Sequence, residues 1–307
     1  MASSRVRETI FLCLSEIQSD SQEVQEKALQ TLDSLTKVSS QNRNLLAQID
    51  GSIFSLLSLS KLSSPTIQIL CLSILFNLSL NPNLKQSLAD METIKHLNFM
   101  ILPPTSPEPS KLAASLICSL AMADKNKARF GVGGTIEAIV TAVSGSRGPA
   151  SPQLLSSLAE LVQFHGNCTL AVRSGAVDVL FQIVESSIVG DDLAGTSLTI
   201  LGLLARFDEG LNALRTRDGI MNSMLQMMKG RCMLSKEGAA EIILRLFDES
   251  EGCVRDALQV PDFLAVLADL SVRGSGKSKE KAGLLMKRLM ESTFDFYADG
   301  IPLLTHR

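Results

Sequence analysis

The side chains that could do chemistry are few and scattered. Six cysteines stand at 13, 71, 118, 168, 232 and 253, and three histidines at 96, 165 and 306. No two cysteines have the spacing of a metal ligand pair or a redox-active CxxC, so they read as small, reduced core side chains. Reduced thiols point to a cytoplasmic or nuclear setting. The histidines have no acids or cysteines at ligand spacing, and no nucleophile–base arrangement or pair of carboxylates stands out. The expectation is therefore no enzyme and no cofactor, metal or other.

Some apparent motifs dissolve on closer reading. Gly274-Ser-Gly-Lys-Ser278 has the ending of a phosphate loop, but Ser271 occupies the place of the first glycine and a helical pattern precedes it. A phosphate loop needs a strand there, so a turn and helix cap is expected. Asn77-Leu-Ser and Asn167-Cys-Thr match glycosylation sequons inside helical stretches and are set aside. Ser64-Pro65, Ser106-Pro107 and Ser151-Pro152 each read either as proline-directed phosphorylation sites or as a serine cap with proline in the first turn, where its missing N–H costs nothing. A basic patch, Arg273, Lys277, Lys279, Lys281 and Lys287 with Arg288 beside it, contains one acid, Glu280. It reads as an attraction for an acidic partner or as a solvated face. The methionines of 221–229 suit a core, or an adaptable binding face.

The elements that carry these residues repeat. One apolar position recurs at Leu35, Leu78, Leu120, Leu161, Leu204, Leu246 and Leu289, in steps of 43, 42, 41, 43, 42 and 43. Seven residues earlier the side chain is mostly small: Ala28, Cys71, Ala113, Leu154, Ser197, Ala239 and Ala282. A polar residue opens each unit (Asn42, Asn83, Asn126, Asn167, Asn212, then Cys253), and a turn residue follows it: Gly51, Glu92, Gly134, Gly175, Gly219 and Pro261. A period of roughly 40–47 residues with two or three helices per unit marks an armadillo or HEAT array. The pattern predicts a capping partial repeat over 1–41, six repeats over 42–82, 83–125, 126–166, 167–210, 211–252 and 253–292, and a tail over 293–307. The tail's Phe294, Phe296 and Tyr297 either cover the last repeat or dock on a partner.

Each repeat reads as a short helix, a middle helix and a long third helix that is apolar on more than one side, hence buried between neighbours. The fold expected is an all-α, right-handed solenoid whose third helices line a concave groove suited to extended or helical segments of partner proteins. At 307 residues, 45% apolar and with net charge −3, the chain has no basic bias toward nucleic acid. It has no tryptophan and one tyrosine, so stacking platforms for bases are not expected. No stretch reads as a secretory signal or a membrane span.

The stretch VQEKALQTLDSLTKVSSQNRNLLAQ at 24–48, with GAVDVL, LTILGLLARFDEGLNAL and RGSGKSKEKAGLLMKRL later, resembles armadillo repeats. More narrowly, it is similar to the armadillo region of plant U-box E3 ubiquitin ligases, over roughly residues 20–292, without a U-box. The resemblance implies a non-catalytic adaptor or regulator binding kinase domains, ubiquitylation substrates or other signalling proteins. The alternatives are a substrate-recognition component of, or competitor for, a U-box ligase, and, less in keeping with the residues, a nuclear transport adaptor or an enzyme. In such repeats the residue before the marker leucine often faces the groove: here Ser34, Asn77, Ser119, Glu160, Leu203, Arg245 and Arg288. Asn77 matches the family's groove asparagine, and the other units depart from it. The transport adaptors' Trp/Asn array is missing.

Overall fold

A computed structural model describes residues 2–62, 64–103, 105–145, 148–186 and 192–298, without the side chains of 2–4, 62, 192 and 293–298. Among the described residues the chain is helical and has no strand. After Ala2–Glu16 and Gln22–Val38, the three-helix cycle runs six times. The first helices are Ser40–Ala47, Lys85–Leu88 preceded by a 3-10 turn at Pro82–Leu84, Asp124–Val132, His165–Arg173, Asp208–Arg215 and Glu251–Gln259. The middle helices are Ser52–Leu62, Met91–Ile101, Thr135–Ser144, Ala176–Ser186, Ile220–Lys229 and Phe263–Arg273. The third helices are Pro65–Ser79, Pro107–Ala121, Ser151–Leu161, Asp192–Leu204, Met233–Glu249 and Gly276–Ala298. The expected tail thus begins inside the last helix; its side chains and residues 299–307 lie outside the described residues.

The helices form two compact units, Met1–Leu170 and Ala171–Arg307. In the first, Gln22–Val38, Pro65–Ser79, Pro107–Ala121 and Ser151–Leu161 pack in succession. In the second, Asp192–Leu204, Met233–Glu249 and Gly276–Ala298 do the same. The small marker explains how they approach: Ala28, Cys71, Ala113, Ser197, Ala239 and Ala282 are at most 1% exposed, at the lines where third helices cross. The marker leucines from Leu78 to Leu246 are fully buried, and Leu35, next to the first helix pair, is half-buried. Burying a leucine stabilises by about 1.5–3 kcal/mol, so the periodic pattern is the principal cohesive force of each stack. The methionine-rich helix resolves as core, with Met221, Met224 and Met228 at 4%, 0% and 1% exposure.

The recurring asparagine is also explained. Asn126 Nδ2 donates to Leu120 O and Lys85 O, both at 3.0 Å. Asn167 Nδ2 donates to Leu161 O and Lys127 O, both at 2.9 Å. One buried amide thus ties the carbonyl end of the preceding repeat's third helix to that same repeat's first helix, giving two carbonyls a further donor. Asn42 donates to Leu35 O at 2.9 Å. Two turn markers differ from expectation. Gly51, Gly134, Gly175 and Gly219 take positive φ, but in the second repeat the chain turns at Ala89 with Asp90 capping the middle helix, and Glu92 lies within it. In the last repeat the positive φ falls on Asp262 rather than on Pro261, whose ring forbids it.

Candidate functional site

The third-helix residues singled out by the period do not form one uniform row. Ser34 is exposed, its hydroxyl donating to Gln30 O at 2.9 Å. Asn77 is 5% exposed and spends its amide within the stack, donating to Asp33 Oδ1 at 3.2 Å and Thr36 Oγ1 at 3.1 Å. The residue that matches the family's groove asparagine thus has its amide spent inside the stack. The reason is Asp33, 8% exposed, which needs donors and takes them from Asn77, Ser73 Oγ at 2.6 Å and Lys37 Nζ. Ser119 is likewise buried, tied to Ser79 Oγ at 2.8 Å, while its carbonyl accepts Lys85 Nζ at 2.7 Å. Glu160 is half-buried, 3.7 Å from Lys127 Nζ.

In the second unit the same position holds a half-buried leucine, Leu203, and then two arginines. Arg245 pairs with Glu241 at 3.1 Å, and Glu241 takes Lys281 Nζ at 3.0 Å from the next third helix. Burial would raise the Glu241 carboxyl, but the hydrogen bond and charge of Lys281, then those of Arg245, hold it below the usual carboxylate range. Arg288 reaches Asp248 at 2.7 Å, again one third helix to the next. The structure therefore brings Arg245 and Lys281 onto one carboxylate, a grouping no linear spacing announced. Both Asp33–Ser73 and Glu241–Lys281 span 40 residues, a signal recoverable from the period.

The basic patch is thinner than expected. Lys281 is taken up by Glu241, Arg273 pairs with Asp269 at 3.3 Å, and Lys287 stands 3.8 Å from Glu291. Only Lys277 and Lys279 carry no ion pair among the described residues. The phosphate-loop look-alike is a cap: Ser275 Oγ accepts from Ser278 N at 3.1 Å as the last helix begins.

Sequence reasoning missed one hydroxyl–imidazole pair. Ser60 Oγ lies 2.7 Å from His96 Nε2, a distance compatible with a nucleophile and its base. Ser60 is fully buried, its hydroxyl donates to Leu57 O at 2.7 Å, and His96 is 7% exposed. Burial foremost, with Lys61 nearby, pushes His96 down to about 4, against the pull of Glu92. With the hydroxyl proton on a main-chain carbonyl and no path for substrate, the pair is a packed polar contact between middle helices. Among the described residues no three His, Cys, Asp or Glu side chains gather into a metal site, and no single helix is long and apolar enough to cross a membrane. None of the serines before proline makes a side-chain cap bond: Ser64 precedes its helix and accepts from Gln22 at 3.1 Å, Ser151 lies inside its helix after Ala150 and accepts from Gly148 N at 3.1 Å, and Ser106 is exposed.

The comparisons bear on fold more than on site. No protein-family model matches the chain. U-box domain-containing protein 8 of Arabidopsis thaliana is 25% identical over 213 residues, 69% of this chain; the chain spans 55% of that relative's length. A crystal structure of an engineered protein superposes with a TM-score of 0.78 at 15% identity, covering 92% of this chain and 71% of that one. Computationally designed armadillo repeat proteins for modular peptide recognition superpose at 0.68 and 13% identity, covering 76% of this chain and 98% of theirs. Together with the three-helix repeat, these likenesses give the chain the armadillo-repeat solenoid fold, a scaffold of the kind used to bind other proteins.

Proposed function

We propose that this armadillo-repeat chain is a non-catalytic adaptor or regulator that binds partner proteins along the third-helix face, in a signalling or ubiquitylation pathway of the cytoplasm or nucleus. The observation that carries the reading is the third-helix ladder. Its helices are buried against one another, yet the ladder position keeps accessible polar side chains in both units, Ser34 and Glu160 in the first and Arg245 and Arg288 in the second, with Leu203 an apolar exception. The designed relatives' peptide recognition and the U-box relative support protein segments as partners, with kinase domains or ubiquitylation substrates as the leading classes. A competitor of U-box ligases for a shared partner is the second form of the same reading.

The test is direct. The immobilised chain is offered to cell extract, and captured proteins are identified, purified and titrated against wild type and the variants Glu160→Lys, Arg245→Glu and Arg288→Glu. Affinity for a true groove partner falls about tenfold or more with helicity unchanged, as expected when like charges meet across an interface. Equal affinity for all four proteins removes the ladder from the binding site. In a reconstituted assay with E1 and E2, E2-dependent ubiquitin transfer by the chain alone would refute the non-catalytic role.

A further inference from the structure

The tips of the third helices in the first unit carry a second period. Val38, Leu80, Met122 and Phe164 stand 42 residues apart and are 84%, 50%, 63% and 43% exposed. Hydrogen bonds join the first three tips, Asn77 to Thr36 at 3.1 Å and Ser79 to Ser119 at 2.8 Å, and the helix that follows Met122 reaches the fourth, Lys127 donating to Gln163 at 2.9 Å. The apolar side chains therefore follow one another along the same edge, Phe164 one helix removed from Met122. Beside it stand cations with the same period, Arg43, Lys85 and Lys127, the last of them buried and paired with Asp124 and Glu160. The first helices along this edge, Ser40–Ala47, Lys85–Leu88 and Asp124–Val132, carry Arg43, Lys85, Lys125, Lys127 and Arg129 against one carboxylate, Asp124. Arg43 donates to Thr36 O, Lys85 to Ser119 O and Arg129 to Gln86 O, so these three charges meet carbonyls and no carboxylate.

We propose that this edge docks an acidic amphipathic helix of a partner protein. Packed neighbouring helices lie about 8–10 Å apart, which sets the spacing of the apolar tips. Seven residues of an α-helix rise about 10.5 Å, just above that spacing, so apolar residues at every seventh position stay nearly in step with the tips. An extended segment puts side chains on one face about every 6.7 Å and falls out of step. Four contacts need a helix of about 22 residues. Acidic side chains flanking its apolar row meet Arg43, Lys85, Lys125 and Arg129. The inference rests on the protein-binding role above but uses a different surface from the third-helix ladder, so the two fail separately.

Three labelled peptides of about 25 residues test it against the whole chain by fluorescence anisotropy. The first carries leucine at every seventh position among alanine and glutamate; the second has the same composition with the leucines redistributed around the helix; the third has lysine for glutamate. The first binds about tenfold or more tighter than the others, and the double variant Leu80→Asp/Met122→Asp, both at exposed positions, loses that advantage with its thermal melt unchanged. Equal binding of all three, no binding, or indifference to the double variant overturns the proposal. A concentration-dependent dimer abolished by the same variant overturns it in favour of a second copy of the chain. If the edge variant leaves a captured partner's affinity intact while Arg245→Glu lowers it, the edge falls and the ladder stands.

Discussion

The two units build the same three-helix repeat from different side chains. In the first, two of the four polar markers are buried and structural, Asn126 and Asn167 at 0% and 1% exposure, while Asn42 is half-buried and Asn83 exposed. In the second, Asn212 is exposed and Cys253 replaces the next asparagine. The third helices of the first unit are joined by hydroxyls and amides around Asp33 and Ser79; those of the second by the carboxylates Glu241 and Asp248. The edges differ in sign as well. Against the basic edge of the first unit, Asp208–Arg215 and Glu251–Gln259 carry Asp208, Glu209, Glu251 and Asp256 with Arg215 and Arg255. A repeat thus fixes where helices lie through its apolar and small positions, and leaves the polar positions free to differ.

Backbone crowding offers the hardest test, because each unit has glycines with no room for a methyl, the most crowded being Gly131 in the first and Gly210 in the second. A Cβ on Gly131 would stand 2.0 Å from Asn167 Oδ1, and one on Gly210 would stand 2.2 Å from Leu204 O. The second obstacle is main chain and cannot rotate away. Gly210→Ala is expected to cost about 3 kcal/mol or more and Gly131→Ala somewhat less, since a side chain can yield. Urea melts of both check the order; a reversed order would mean that the asparagine bridge is more rigid than the helix end.

The bridges themselves come next. Asn167→Ala takes a buried donor from Leu161 O, which keeps Phe164 N, and from Lys127 O, for an expected loss of about 1–2 kcal/mol. Asn212→Ala, at the equivalent but exposed position, is expected within about 0.5 kcal/mol of wild type. Equal losses would erase the distinction between the two units.

Acid separates the units by a smaller margin. His96 in the first unit is held at about 4 rather than its ordinary 6.5, chiefly by burial. Below pH 6.5 the unfolded chain takes up a proton that the folded chain refuses until about 4. Stability is therefore lost on acidification through that window, by about 1.4 kcal/mol at pH 5.5. Glu241 in the second unit is shifted the other way: its contribution is present above the ordinary carboxylate value of 4.5 and is lost only as pH falls below it. Melts at pH 7.5 and 5.5 should differ in wild type and converge in His96→Gln. A wild-type melt indifferent to this change would mean that His96 is reached by water.

The outcome for the sequence reading follows the same division. Apolar and small positions made the architecture legible, because a helix buried on several sides tolerates little else at Ala113 or Leu120. The asparagine period was visible while its cause was not, since a bridge to Lys85 O or Lys127 O exists only once repeats stack. The ladder position was only partly legible. Nothing local distinguishes Asn77, drawn inward by Asp33 one repeat away, from exposed Ser34. The basic patch left an acidic partner and a solvated face both open, and the acid that takes Lys281 could not be seen in it because it lies 40 residues upstream.

The smallest expected effect has the opposite sign. Ser197 sits at the small marker of the second unit, where the first unit has Ala28, Cys71, Ala113 and Leu154. It is fully buried, and its hydroxyl has no hydrogen-bond partner. A hydroxyl buried without a partner costs about 1–3 kcal/mol of lost hydration, while its removal leaves a void far smaller than a methyl group. Ser197→Ala should therefore stabilise the chain, by about 1 kcal/mol, seen as a higher urea midpoint with an unchanged slope. Destabilisation would show that the hydroxyl is satisfied in solution, and that the second unit, like the first, has found a polar use for its helix crossing.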